Sequence, residues 1–154
     1  MSGYIHELID YLKESFNVDQ RISIATDLDV VYLDVTQAVP LGLLLNEAIS
    51  NALKYAFPNE RKGEITVSFH RMVSDQYALS ISDNGIGWPS GFDPHAGKSL
   101  GMSLMKGLSK QLNGNFNIAN GTGLSIQLIF KVDILNWSET KMDEIKSPET
   151  PTPL

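Results

Sequence analysis

The chain has 154 residues, 42% apolar and 19% charged, with a formal net charge of −6 and no cysteine, which describes one globular domain long enough to close a core without staples. The missing cysteines exclude disulfides and thiolate metal sites and fit a reducing compartment. An acidic chain without a Lys/Arg cluster lacks the footprint of nucleic-acid binding, no apolar run is long enough to span a bilayer, and no signal-peptide layout opens the chain.

Tyr4 to Phe16 has a helical period, with Ile5, Leu8, Ile9, Leu12 and Phe16 lining one face. Arg21 to Ala25 and Val30 to Leu33 are rich in β-branched residues and bounded by Asp, which predicts two short strands. Thr36 and Pro40 fit the entrance to a helix from Leu41 to about Phe57, stopped by Pro58-Asn59. Strands follow over Glu64 to Arg71 and Tyr77 to Ser82, joined by a hairpin turn at Val73 to Gln76. Trp88 to Lys98 holds two prolines and two glycines and reads as loop. Ser99 caps a helix running to about Leu112, with Leu104, Met105, Leu108 and Leu112 as its apolar stripe and Asn113-Gly114 as its stop. A last hairpin joins Asn115–Ala119 to Leu124–Val132 across Asn120-Gly121-Thr122-Gly123.

The expected order is helix and two strands, three times over. Such pairing predicts an α/β fold of the α+β type, a two-layer sandwich with a mixed, mainly antiparallel sheet and the helices on one face. Residues 1–135 form the expected domain. From Asn136 the chain turns polar and proline-bearing, which reads as a linker or unstructured tail over 136–154.

Three features point to a nucleotide pocket. At ~100° per residue, Glu47, Asn51 and Lys54 fall within roughly 60° of one another on a helix whose other faces are apolar. A solvated stripe is the plain alternative, but a mid-helix Asn lowers helix propensity and solvated stripes favour Lys, Glu and Arg. An Asn oxygen suits magnesium, which bridges phosphate oxygens; Lys54 can pair with a phosphate; Glu47 can act as a general base. Second, Asp83-Asn84-Gly85-Ile86-Gly87 closes a strand. Asp83 there can accept from the exocyclic amine of adenine, or it can simply cap a turn. Gly85 and Gly87 permit close approach of the backbone to a flat base. Third, Gly97-Lys98-Ser99-Leu100-Gly101 leads into a helix start whose amides can hold phosphate, although an ordinary capped helix gives the same pattern.

The ordered set Asn46-Glu47, Asn51-Ala52, Lys54-Tyr55, Asp83-x-Gly85-x-Gly87, Ser99-Leu100-Gly101 and Gly121-Thr122 resembles the catalytic ATP-binding domain of bacterial sensor histidine kinases. That domain has the Bergerat fold, shared with gyrase, HSP90 and MutL ATPases. The likeness covers about residues 4 to 132. It implies that Asn51 binds Mg2+, that Glu47 stands beside the γ-phosphate of ATP as acid–base group, and that Lys54 and Tyr55 contact the phosphates or ribose. It further implies that Asp83 reads adenine with Thr122 in support, that Gly85 and Gly87 shape the adenine wall, and that Leu100 and Gly101 close over the phosphates. Trp88 to Lys98 would be the ATP lid.

The partners implied are an upstream dimerisation and phosphoacceptor domain of a parent kinase and the receiver domain of a response regulator. The expected location is cytoplasmic, with no direct membrane contact by this module and the anchoring of the parent left open. His6-Glu7-Leu8 imitates a phosphoacceptor motif, but no proline follows before Pro40. His6 is therefore read as a helix-face residue, and the acceptor is expected upstream of Met1. An anti-sigma-factor serine kinase of the same fold, or an ATP-binding module without turnover, are the alternatives.

Overall fold

Ile22, Ile24 and Leu28 turn inward along one strand, β1 (Ile22–Leu28), where two strands were expected. The computed structural model describes residues 2–15, 21–87 and 100–132, with side chains from Glu7 onward. Asp27 points out to solvent, so its carboxylate does not interrupt the strand. The ladder stops at Asp29, whose N–H donates to the Phe69 carbonyl at 2.8 Å. Val30 to Leu33 have the alternation of a strand, with Val31 buried and Val30 exposed, but no ladder partner. Alternating burial does not make a strand where no neighbouring backbone is in reach.

Helix α1 (Ser2–Ser15) buries Ile9 and Leu12 in the common core. Helix α2 spans Val35–Asn51 and begins six residues earlier than the predicted Leu41. Asp34 precedes it in extended conformation, and its carbonyl accepts from the amides of Gln37 and Ala38 at 2.9 and 2.8 Å. Pro40 thus lies inside the helix, where burial against the core outweighs the missing N–H. The helix continues into a π turn, Ala52–Ala56. Single π turns inside helices recur at functional sites.

Strands β2 (Gly63–Arg71) and β3 (Gln76–Asp83) form the expected hairpin. Helix α3 (Leu100–Gln111) buries Met102, Met105 and Leu108. Leu104, expected in that stripe, is 44% exposed, because Met102 and Met105 take the inward positions. Asn113 adopts a left-handed φ of 50°, and Gly114 donates to the Ser109 carbonyl at 2.9 Å, which closes the helix. Strands β4 (Asn115–Asn120) and β5 (Leu124–Lys131) complete the sheet as a hairpin.

The sheet order is β1-β2-β3-β5-β4, parallel only between β1 and β2 and antiparallel elsewhere. Its inner face carries Ile65, Val67, Phe69, Leu79, Ile81, Ile126, Leu128 and Phe130, packed under the helices. Phe69 stacks on both Tyr77 and Phe130, at ring-centroid distances of 5.5 and 6.0 Å. The outer face is polar, with the row Asp27, Ser68, Ser80, Gln127, Asn117 set by the register. This is the α/β sandwich of two layers with a mixed sheet that the pattern predicts.

At the β1 edge His70 lies between two carboxylates, 3.1 Å from Asp27 and 3.2 Å from Asp29. The hydrogen bond to Asp29, then that to Asp27, raises the His70 pKa above its ordinary value against partial desolvation. The Arg71 amide, then His70, holds the Asp29 carboxyl below its own. His95 lies outside the described residues, as does the side chain of His6. No helix among the described residues is long and apolar enough to cross a membrane.

Candidate functional site

Glu47 and Asn51 lie one turn apart near the end of α2, both half-buried. The start of α3 rests on them. A Cβ built on Gly101 would lie 2.2 Å from Glu47 Oε1 and 3.3 Å from Asn51 Nδ2. Only a glycine lets the two helices approach this closely without moving the carboxylate. Leu100, at the first position of α3, is 84% exposed.

Lys54 and Tyr55 stand on the π turn and are exposed, Tyr55 at 69%. An i→i+5 turn winds less per residue than an α-helix. The i→i+5 turn departs from the ~100° spacing on which the row of Glu47, Asn51 and Lys54 rests.

The loop after β3 hangs from that π turn. Ile86 donates to the Ala56 carbonyl at 3.0 Å, and a Cβ on Gly85 would meet the same oxygen at 2.3 Å. Asp83 Oδ1 accepts from the Gly85 amide at 2.9 Å and, more weakly, from the Leu124 amide at 3.4 Å. The carboxylate thus caps its own turn and ties it to the last hairpin. Gly87 takes a positive φ of 70° and lies against Asn120, with Asn120 Oδ1 2.4 Å from a Cβ built there. Asn84 anchors the other side, its Oδ1 accepting from the Glu64 amide at 2.7 Å and its carbonyl accepting from Arg61 at 3.0 Å.

A groove of about 330 Å³ opens beside Asp83, lined also by Ser82, Asn120, Thr122 and Ser125. Asp83 and Thr122 therefore share one hollow, and Glu47, Asn51 and Gly101 share one contact. The groove does not reach Glu47 or Asn51. What joins the two clusters is the bond from Ile86 to Ala56, five residues or ~8 Å along the helix from Asn51. The expected lid, Trp88 to Lys98, and the expected cap Ser99 lie outside the described residues. Ala56, Asn120 and Gly123 were not singled out in the sequence. Gly123 presses on the Asp83 carbonyl, 2.0 Å from a built Cβ, and only strand pairing could have revealed it.

Among the described residues no three His, Cys, Asp or Glu side chains form a metal cage. The half-exposed Asn51 amide oxygen would instead serve a magnesium ion that takes most of its ligands from water and phosphate.

A sequence profile for histidine kinase-, DNA gyrase B-, and HSP90-like ATPases matches residues 36–134, from the start of α2 past the end of β5. The chain belongs to this ATPase family. The sensor histidine kinase PdtaS of Mycobacterium tuberculosis is 25% identical over 132 residues, 84% of this chain and 26% of that protein. Blue-light-activated histidine kinase 2 of Erythrobacter litoralis is 29% identical over 116 residues, 73% of this chain and 33% of that protein. The chain thus spans between a quarter and a third of these relatives. The histidine kinase domain of the Erythrobacter litoralis EL346 kinase superposes with a TM-score of 0.77 at 25% identity, over 84% of this chain and 64% of that one. As a histidine kinase-like ATPase domain, the chain is a member of a family that binds ATP, and α2, the Asp83 loop and α3 all lie inside the matched region.

Proposed function

We propose that this domain binds Mg-ATP between α2, the Asp83 loop and the start of α3, and donates the γ-phosphate to a histidine on a separate dimerisation domain. The contact of Gly101 with Glu47 and Asn51 carries this reading. It brings the amides of a helix start beside one carboxylate and one amide, the groups a metal-bound triphosphate needs. Asp83 accepts from the adenine amine with Thr122 at its side, and Gly85 and Gly87 keep the wall of the base site thin. Asn51 holds the magnesium, Lys54 and Tyr55 reach the phosphates or ribose, and Leu100 and Gly101 close over the chain of phosphates. Magnesium, when bound, supplies charge neutralisation to the β- and γ-phosphates.

In phosphoryl transfer the protein mainly positions groups and stabilises charge. The acceptor imidazole nitrogen bonds to the γ-phosphorus as the bond to the β–γ bridging oxygen breaks, and ADP departs with that electron pair. Glu47 takes the imidazole proton. In this reading residues 1–135 are the catalytic unit, the acceptor lies in an upstream domain of a longer cytoplasmic parent segment, and the phosphate passes on to an aspartate of a response-regulator receiver domain. Two histidine kinases of which this chain matches only a quarter to a third support a longer parent.

A titration with a slowly hydrolysed ATP analogue, with and without magnesium, tests the binding half. Glu47→Ala tests the chemistry: retained nucleotide affinity with lost transfer to the upstream histidine supports it, and unchanged transfer removes Glu47 from its role. Label on His6 would overturn the upstream acceptor. The serine-kinase reading is favoured by one observation, 44% identity over 45 residues to the serine-protein kinase RsbW of Listeria innocua, 29% of this chain. Acid lability of the product decides between them, since phosphohistidine is lost in acid and phosphoserine in base.

A further inference from the structure

The connection from the π turn to β2 grips the loop that carries Asp83. Asn84 Oδ1 accepts from the Glu64 amide at 2.7 Å, the Asn84 amide donates to the Glu64 carbonyl at 3.2 Å, and the Asn84 carbonyl accepts from Arg61 Nη2 at 3.0 Å. Two residues on, Ile86 donates to the Ala56 carbonyl at 3.0 Å. Residues 84–86 are therefore held from two sides by one stretch of chain. Of these bonds, only that of Arg61 comes from a side chain of the connection. Its placement carries a conformational cost. Asn59 and Glu60, just before it, both take left-handed φ values, 57° and 58°. Asn tolerates that conformation, whereas Glu rarely adopts it.

Pro58 to Lys62 are all exposed, so burial does not hold this turn. Hydrogen bonds do: the Arg61 amide donates to the Pro58 carbonyl at 3.2 Å, and the Gly63 amide donates to the Arg21 carbonyl at 2.9 Å. Gly63 completes the approach, since a Cβ there would run into the Phe57 ring and lie 2.9 Å from Asn84 Oδ1. Backbone strain persists where the surrounding structure over-determines it, and it gathers at ligand clamps. We infer that Arg61 is a positioning residue for nucleotide binding: its guanidinium, delivered by the left-handed turn at Asn59-Glu60, holds the Asn84 carbonyl and keeps the Asp83 loop in its binding conformation before ATP arrives. The inference rests on the reading of that loop as the base site. Arg61 acts through Asn84. Without it the loop opens more often, and affinity falls with the fraction of molecules left closed. The reacting groups lie on α2, so turnover at saturating ATP stays the same.

Arg61→Ala in the full chain tests this. Amide exchange at Ile86, followed by NMR without nucleotide, should speed up about three- to tenfold, the weight of one hydrogen bond. The dissociation constant of a slowly hydrolysed ATP analogue and the KM for ATP should rise by the same factor, with kcat for transfer to the upstream phosphoacceptor domain unchanged. Arg61→Lys keeps a donor and should recover most of the loss. Lys62→Ala removes the adjacent positive charge, leaves the Arg61–Asn84 bond in place and should change nothing. Ile86 exchange and analogue affinity that ignore Arg61→Ala overturn the inference. So does an equal loss in Lys62→Ala, which would make Arg61 a source of charge alone, or a fall in kcat at constant KM. Native protein that takes up no analogue overturns the ATP reading itself, and Ile86 exchange then still decides whether Arg61 holds the loop.

Discussion

Gly101 of α3 and Glu47 of α2 approach so closely that a methyl group on residue 101 would lie 2.2 Å from the carboxylate oxygen. The obstructed group is the end of a flexible side chain, so Gly101→Ala moves Glu47 rather than the backbone. The helix itself gains propensity from alanine. On the proposed role of Glu47, phosphoryl transfer should therefore fall about 10- to 100-fold, the effect of displacing a reacting group by about 1 Å, while thermal stability holds or rises. Radiolabel transfer from ATP and a thermal melt on one preparation measure the two effects together.

Gly85→Ala should behave in the opposite way. The added methyl meets the Ala56 carbonyl at 2.3 Å, and a backbone oxygen fixed in a helix end cannot step aside. The loop must lift and the Ile86–Ala56 bond must lengthen. A loss of about 2 kcal/mol is expected, of the size found for overpacked sites, together with a fall in ATP affinity. Urea unfolding gives the first quantity and calorimetric titration the second.

Asp83→Asn separates the turn from the base. The amide oxygen of Asn can still accept from Gly85, as Asp83 does at 2.9 Å, so stability should change little. On the proposed role of Asp83 a negative acceptor for the adenine amine is lost, and affinity for an ATP analogue should drop about tenfold, or ~1.4 kcal/mol. Asp83→Ala removes both contacts and should lose stability as well. Equal melting points for the Asn and Ala variants would argue against a capping role for this carboxylate.

The His70 clamp gives a pH signature. A raised histidine pKa stabilises the fold fully below its unfolded value near 6.5 and loses that contribution as pH climbs through the folded value. A lowered Asp29 stabilises above its ordinary 3.8 and loses that contribution as pH falls through the folded value. Both contributions are present together between those two ordinary values. Melting midpoints should decline as pH rises above 6.5, modestly because the groups are exposed, and His70→Gln should flatten that decline.

Much of the fold could be read from periodicity. The β2–β3 and β4–β5 hairpins and helix α3 lie within a residue or two of their expected bounds, because alternation, Gly/Asn turns and caps are local properties. Val30 to Leu33 was misread for the same reason: a strand exists only where a neighbouring backbone accepts its hydrogen bonds, and the parallel partner of β1 lies some forty residues away. Leu104 was misread because two methionines compete for the same face of α3.

The candidate site divides along the same line. Residue type and spacing along one helix single out Glu47 and Asn51, and the pentapeptide at Asp83 announces a turn, since each signal is carried within a few residues. The π turn that carries Lys54 and Tyr55, the seat of Gly101 on Glu47, and the wedge of Gly123 behind Asp83 belong to the packed molecule. They arise where segments distant in the chain come into van der Waals contact, and hard-core repulsion between such segments leaves no trace in any short stretch of sequence.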